Sequence, residues 1–125
     1  MLTLALVGVG GLIGASSRYA VGRWVNDMAG NPAFPYGTLA VNVVGCLLIG
    51  VLAGLAATRT ILGVDTRAFL FVGVLGGFTT YSAFGLETVE LIRRGEFFVG
   101  LSNVVLQITL GLAAVWVGLK IADSV

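Results

Sequence analysis

Four apolar runs, each long enough to cross a bilayer, constrain this chain more than any other feature. About 20 largely apolar residues are needed to span roughly 30 Å of hydrocarbon at about 1.5 Å per helical residue. The runs cover approximately residues 2–25, 36–57, 67–92 and 97–121. Tyr36 to Ala57 and Phe97 to Leu119 carry no charge at all. The third run is uncharged from Ala68 to Leu86 and then passes through Glu87 and Glu90, whereas the first meets Arg18 after an uncharged start. Turn signals separate the runs: Asn26-Asp27, Gly30-Asn31-Pro32 and Pro35, then Gly63-Val64-Asp65, then Arg93-Arg94-Gly95. Barrel strands would alternate with period two, and these runs do not. The expectation is an all-α integral membrane protein, one four-helix transmembrane domain over residues 1–125, multi-pass in the cell (inner or plasma) membrane.

Composition excludes most other classes. Hydrophobic residues make up 58% of the chain and charged residues 10%, against roughly 25% charge in a soluble domain. A net charge of +1 offers phosphates no electrostatic footprint, so a nucleic-acid partner is not expected. Histidine is absent, and the single cysteine, Cys46, reads as a small buried hydrophobe. With no nucleophile–base pair and no ligand cluster, the chain is not expected to be an enzyme.

Loop charge is balanced. With four spans, Arg59, Arg67 and Lys120 lie on one side and Arg23, Arg93 and Arg94 on the other. Positive loop residues normally set orientation. Without a bias, both insertions are open, and an antiparallel dimer becomes geometrically possible.

The 19 glycines need a reason, since glycine inside a helix costs roughly 1 kcal/mol relative to alanine. In lipid, small residues four apart let backbones approach closely. Gly10 and Gly14, Gly50 and Gly54, Gly73 and Gly77, and Ala114 with Gly118 have this spacing. The GVGGLIG run is not a dinucleotide loop, for it follows no strand and lacks an acidic ribose partner.

Polar residues within the spans are costly and mark either pathways or interhelical bonds. Arg18 either snorkels to the interface or places a fixed positive charge at the mouth of an anion path. Asn42 either bonds a neighbouring helix or donates to a passing anion. In the third span, Gly76-Gly77-Phe78-Thr79-Thr80-Tyr81-Ser82-Ala83-Phe84 weakens a helix through its paired glycines and threonines. A break at membrane depth is tolerated where it faces protein or water, and its freed groups can bind ions. Tyr81 and Phe84 share a helix face and can present positive ring edges to an anion. Asn103 and Gln107, four apart, form a polar stripe that serves a pathway or interhelical bonding. Glu87, one turn beyond Phe84, lines a vestibule or reaches the interface.

These motifs together resemble the Fluc/CrcB fluoride channel family. The resemblance is carried by Gly10-Gly11-Leu12-Ile13-Gly14-Ala15 with Arg18-Tyr19, by Pro35-Tyr36-Gly37-Thr38-Leu39-Ala40-Val41-Asn42 with Gly45, and by Gly76 to Phe84. It implies an antiparallel dual-topology homodimer with two fluoride pores and a third helix broken in mid-membrane. It also implies a structural sodium ion at the dimer interface, held by the backbone carbonyls of Gly76 and Thr79 from both subunits. Asn42, Thr80, Tyr81, Ser82 and Phe84 would line the pore, with Arg18 at the vestibule. The sequence departs from the family pattern at Tyr81, where relatives have phenylalanine, and at Ala83, where they have serine or threonine.

The expected activity is passive, channel-mediated export of fluoride that relieves its toxicity inside the cell. A small anion stripped of water needs donors: an amide, hydroxyls, ring edges and a positive field. The alternative is a small multidrug-type dual-topology exporter. That mechanism needs an embedded carboxylate to trade protons, and the first span has none.

Overall fold

The computed structural model describes residues 1–30, 33–58 and 62–125, apart from the Thr58 side chain. Asn31, Pro32 and Arg59, read above as turn and loop-charge residues, lie outside the described residues. Among those described, four helical spans are long and apolar enough to cross a membrane: Leu2–Met28, Tyr36–Ala57, Val64–Arg93 and Phe97–Asp123.

Helix α1 (Leu2–Met28) runs through Asn26-Asp27, where the sequence reading placed a turn. An exposed i,i+4 pair, Arg23–Asp27 at 3.8 Å, favours continuation. The chain leaves the helix at Gly30, whose φ of 81° suits glycine. Asn26 serves the next helix instead: its Oδ1 accepts from the Gly37 N–H at 2.8 Å, at the start of α2 (Tyr36–Thr58). That N–H has no partner within its own helix, so the bond satisfies an orphan donor.

The third span is assembled from pieces. A short α3 (Val64–Arg67) passes into a π-helical stretch, Ala68–Leu75, and then one α-turn, α4 (Gly76–Phe78). Thr79 and Thr80 are extended, with ψ of 159° and 114°, before α5 (Tyr81–Arg93) resumes. The paired glycines stay helical, and the break falls on the two threonines. Helix α6 (Phe97–Asp123) completes the bundle.

The break lets the third span change partners. Its first half packs along α1, while α5 packs against α6, which in turn runs along α2. Both crossings use the small residues. A Cβ on Gly10 would meet Gly73, and one on Gly77 would meet the Gly11 carbonyl at 2.8 Å. On the other side, a Cβ on Gly50 would strike the Val115 carbonyl, and one on Gly118 would come within 2.8 Å of the Val51 nitrogen. Glycine therefore brings backbones into contact, where van der Waals packing has to replace a hydrophobic drive that lipid does not supply.

Gly14 gives a direct check. A Cβ there would collide with the Val74 carbonyl and lie 2.8 Å from the Phe78 nitrogen, both backbone atoms. Gly14→Val is expected to destabilise the bundle by about 1–3 kcal/mol. Gly8→Ala, with nothing within 4 Å of the added carbon, should not lower stability. Unfolding midpoints in detergent, followed by helical circular dichroism, compare the two.

Candidate functional site

A broken helix frees backbone groups, and the Asn42 side chain collects two of them. Its Oδ1 accepts from the Thr80 N–H at 2.8 Å, and its Nδ2 donates to the Thr80 carbonyl at 3.0 Å. The side-chain amide thus stands in for a neighbouring peptide. Gly45, one turn further along α2, makes room, since a Cβ there would strike the Thr79 methyl. Thr80 also caps α5, its Oγ1 accepting from the Ala83 N–H at 3.2 Å.

These bonds divert two donors that a continuous helix would use. The Thr80 N–H would go to the Gly76 carbonyl and the Ala83 N–H to the Thr79 carbonyl. Both now go to side chains, so neither carbonyl receives its helical bond. Gly76 is exposed and Thr79 half-buried on the face of the chain.

Two hollows flank the break. One, a groove of about 370 Å³, is lined by Asn42, Gly76, Thr79, Tyr81, Phe84 and Gln107 among others. The other, about 630 Å³, is lined by Arg18, Asn26, Thr38 and Ala83, and Thr80 borders both. In the first, the Tyr81 and Phe84 rings stand edge to face, with centroids 5.5 Å apart and planes at 64°. Phe84 is half-buried, whereas Tyr81 is 83% exposed on the single chain. Arg18 is half-buried in the second hollow, and no hydrogen bond or ion pair engages it among the described residues.

The remaining residues singled out by sequence separate into different settings. Gln107 joins the groove and accepts from Asn42 Nδ2 at 3.1 Å. Asn103, on the same stripe, is 0% exposed and donates to Thr88 Oγ1 at 2.9 Å, and Thr88 donates to the Phe84 carbonyl at 2.8 Å. The stripe therefore divides between the groove and an α5–α6 bond. Ser82 is exposed and lines neither hollow, its Oγ 3.4 Å from Thr80 Oγ1. Glu87 accepts from Thr38 Oγ1 at 2.7 Å, which ties α5 to the start of α2 beside the second hollow.

Thr38 and Thr88 escaped the sequence reading. Thr38 lies inside the Pro35–Asn42 motif without a signal of its own. Thr88 is four residues after Phe84 and could have been found as a polar position on the face that α6 covers.

A family model described as CrcB-like protein, Camphor Resistance (CrcB), matches residues 5–119. A protein of Rhizobium leguminosarum bv. trifolii, called a fluoride-specific ion channel FluC, is 50% identical over 121 residues, covering 97% of this chain and 96% of its own. One of Agrobacterium fabrum with the same name is 46% identical over 99% of this chain and 98% of its own. A Symbiobacterium thermophilum protein called fluoride-specific ion channel FluC 1 is 42% identical, covering 96% and 97% respectively.

Asn42 gives the site its test. Asn42→Leu orphans both the N–H and the carbonyl of Thr80. A loss of about 1–3 kcal/mol per group is expected, together with faster hydrogen exchange at Thr80 than at Leu91. Solvent-exchange measurements on labelled protein in micelles read both effects.

Proposed function

Because the chain belongs to the CrcB-like family, we propose that it is a fluoride-specific ion channel that lets fluoride leave the cell passively and so limits its toxicity. It is a multi-pass membrane protein and not an enzyme. The observation that carries the reading is the identity of up to 50%, sustained over nearly the whole chain, to proteins named for that ion. Against the exporter alternative, α1 offers no carboxylate before Asp27.

The geometry supports a path for a dehydrated anion. Fluoride gives up water only where donors replace it. Beside the break, the ring edges of Tyr81 and Phe84 and nearby amide and hydroxyl donors supply that replacement, while Arg18 adds positive potential from the second hollow. None of these groups has to move, so flux needs no energy source.

A single chain leaves the groove open, with the Tyr81 ring on its lining largely exposed. Two copies inserted head to tail would close two such grooves, place the break in mid-membrane and fit the balanced loop charges. In that dimer the Gly76 and Thr79 carbonyls of both subunits, relieved of their helical bonds, would hold a sodium ion that supplies fixed positive potential between the two paths. Carbonyl oxygens are the hard donors such an ion takes.

Purified protein in liposomes loaded with fluoride tests the reading. Rapid fluoride loss at an electrode, with chloride retained and no proton gradient imposed, is expected. Flux that requires a proton gradient supports the exporter instead. Phe84→Ile should reduce fluoride loss at least about tenfold, the effect of roughly 1.4 kcal/mol, while cross-linking still gives a dimer. Tags at the C-terminus should be accessible from both faces of the membrane.

A further inference from the structure

The second hollow holds more charge than that of Arg18. Its wall includes Tyr19, Arg23 and Asp27, spaced four apart on one face of α1. The three form a ladder: Arg23 Nη1 donates to Tyr19 Oη at 3.2 Å, and Arg23 Nε lies 3.8 Å from Asp27 Oδ2. In the sequence reading Arg23 is a loop cation and Asp27 a turn residue, and neither belongs to the site.

The ladder decides how much charge an incoming anion meets. Arg18 is half-buried in the hollow, and no ion pair among the described residues engages it. Arg23 faces a carboxylate on the same lining, so that pair adds no net charge. The other carboxyl nearby, Glu87, is tied to Thr38 and lies outside the lining. A cleft lined by charge of one sign concentrates ions of the other, and the uncompensated charge sets the size of the effect. A unit charge acting across roughly 10 Å of water changes the local concentration of a monovalent ion about twofold.

We infer that Asp27 is a rate-setting carboxylate at the mouth of the fluoride path: by pairing with Arg23 it cancels the second arginine and leaves Arg18 to draw the anion in. The inference rests on the fluoride-channel reading. Both side chains of the pair are largely exposed, and ion pairs of that kind contribute little to stability because water and salt screen them. Their field on a passing ion needs no fixed contact. It reaches as far as the Debye length, about 30 Å in 0.01 M salt and about 3 Å in 1 M. In a head-to-tail dimer one such hollow opens to each side of the membrane, so fluoride leaving the cell starts from one.

A charge cycle tests it. Initial fluoride efflux is measured from liposomes of the full-length protein, with a potassium ionophore carrying the counter-charge and potassium gluconate as the salt. Fluoride is kept low enough that the rate rises in proportion to it. In 0.01 M salt Asp27→Asn should raise the rate about twofold, Arg23→Gln should lower it about twofold, and the double substitution should restore it. In 1 M salt the four proteins should run at one rate. The ratio of the two rates within each variant does not depend on how much protein folded, so a poor yield leaves the test intact. A ladder that merely props the end of α1 would slow both single variants and the double alike at either ionic strength, and that result overturns the inference. So does a wild-type ratio in Asp27→Asn. Wild-type protein that passes no fluoride would remove the channel reading itself, and this inference with it.

Discussion

A peptide unit that leaves its helix inside an apolar bundle must find a donor and an acceptor at once, and here one side chain supplies both. The two bonds from Asn42 to Thr80 make the extended pair Thr79–Thr80 affordable where water is scarce. Everything around the candidate site follows from them. With the Thr80 cap on Ala83 they leave the Gly76 and Thr79 carbonyls without their helical bonds, and α5 departs from α1 to lie on α6. That reorientation sets the Tyr81–Phe84 pair beside Gln107. Without Asn42, the Thr80 N–H and carbonyl would both lie unpaired, and the break would carry the full cost of two unmet backbone groups.

The glycines and the polar residues divide the work of assembly. Close backbone approach at Gly10–Gly73 and at Gly50–Gly118 fixes the helix pairs by contact alone, without directional bonds. Directional bonds are kept for the neighbourhood of the break: Asn42 to Thr80, Thr38 to Glu87 and Asn103 to Thr88. Two of these links tie α5 and its cap Thr80 to α2, and the third ties α5 to α6. The piece of chain with least backbone continuity is therefore held by the most side-chain bonds. A site that must keep its donors aimed while an ion passes benefits from such fixity, since reorganising dipoles would cost energy at every passage.

Much of this is legible in the sequence because the bilayer imposes simple rules. The four spans follow from run length, and the tight crossings follow from glycines four apart. The sequence narrows the break to the nine residues from Gly76 to Phe84, since Gly76-Gly77 and Thr79-Thr80 both weaken a helix; only the backbone distinguishes the pairs. Glycines 76 and 77 remain helical, and Gly77 lies against α1, where an added Cβ would come within 2.8 Å of the Gly11 carbonyl. Side-chain partners were harder to read. Asn103 and Gln107 look alike at one-turn spacing, yet one pairs with Thr88 and the other with Asn42, and those partners sit 15 and 65 residues distant.

The most direct measurement of the central claim is the reversal potential of current through the reconstituted protein in a planar bilayer. With unequal fluoride on the two sides, the account predicts reversal at the fluoride equilibrium potential. Adding a chloride gradient or a proton gradient should leave that potential where it is. A reversal potential that follows chloride would contradict a pore selective for the smallest halide, and one that follows protons would contradict a passive channel altogether.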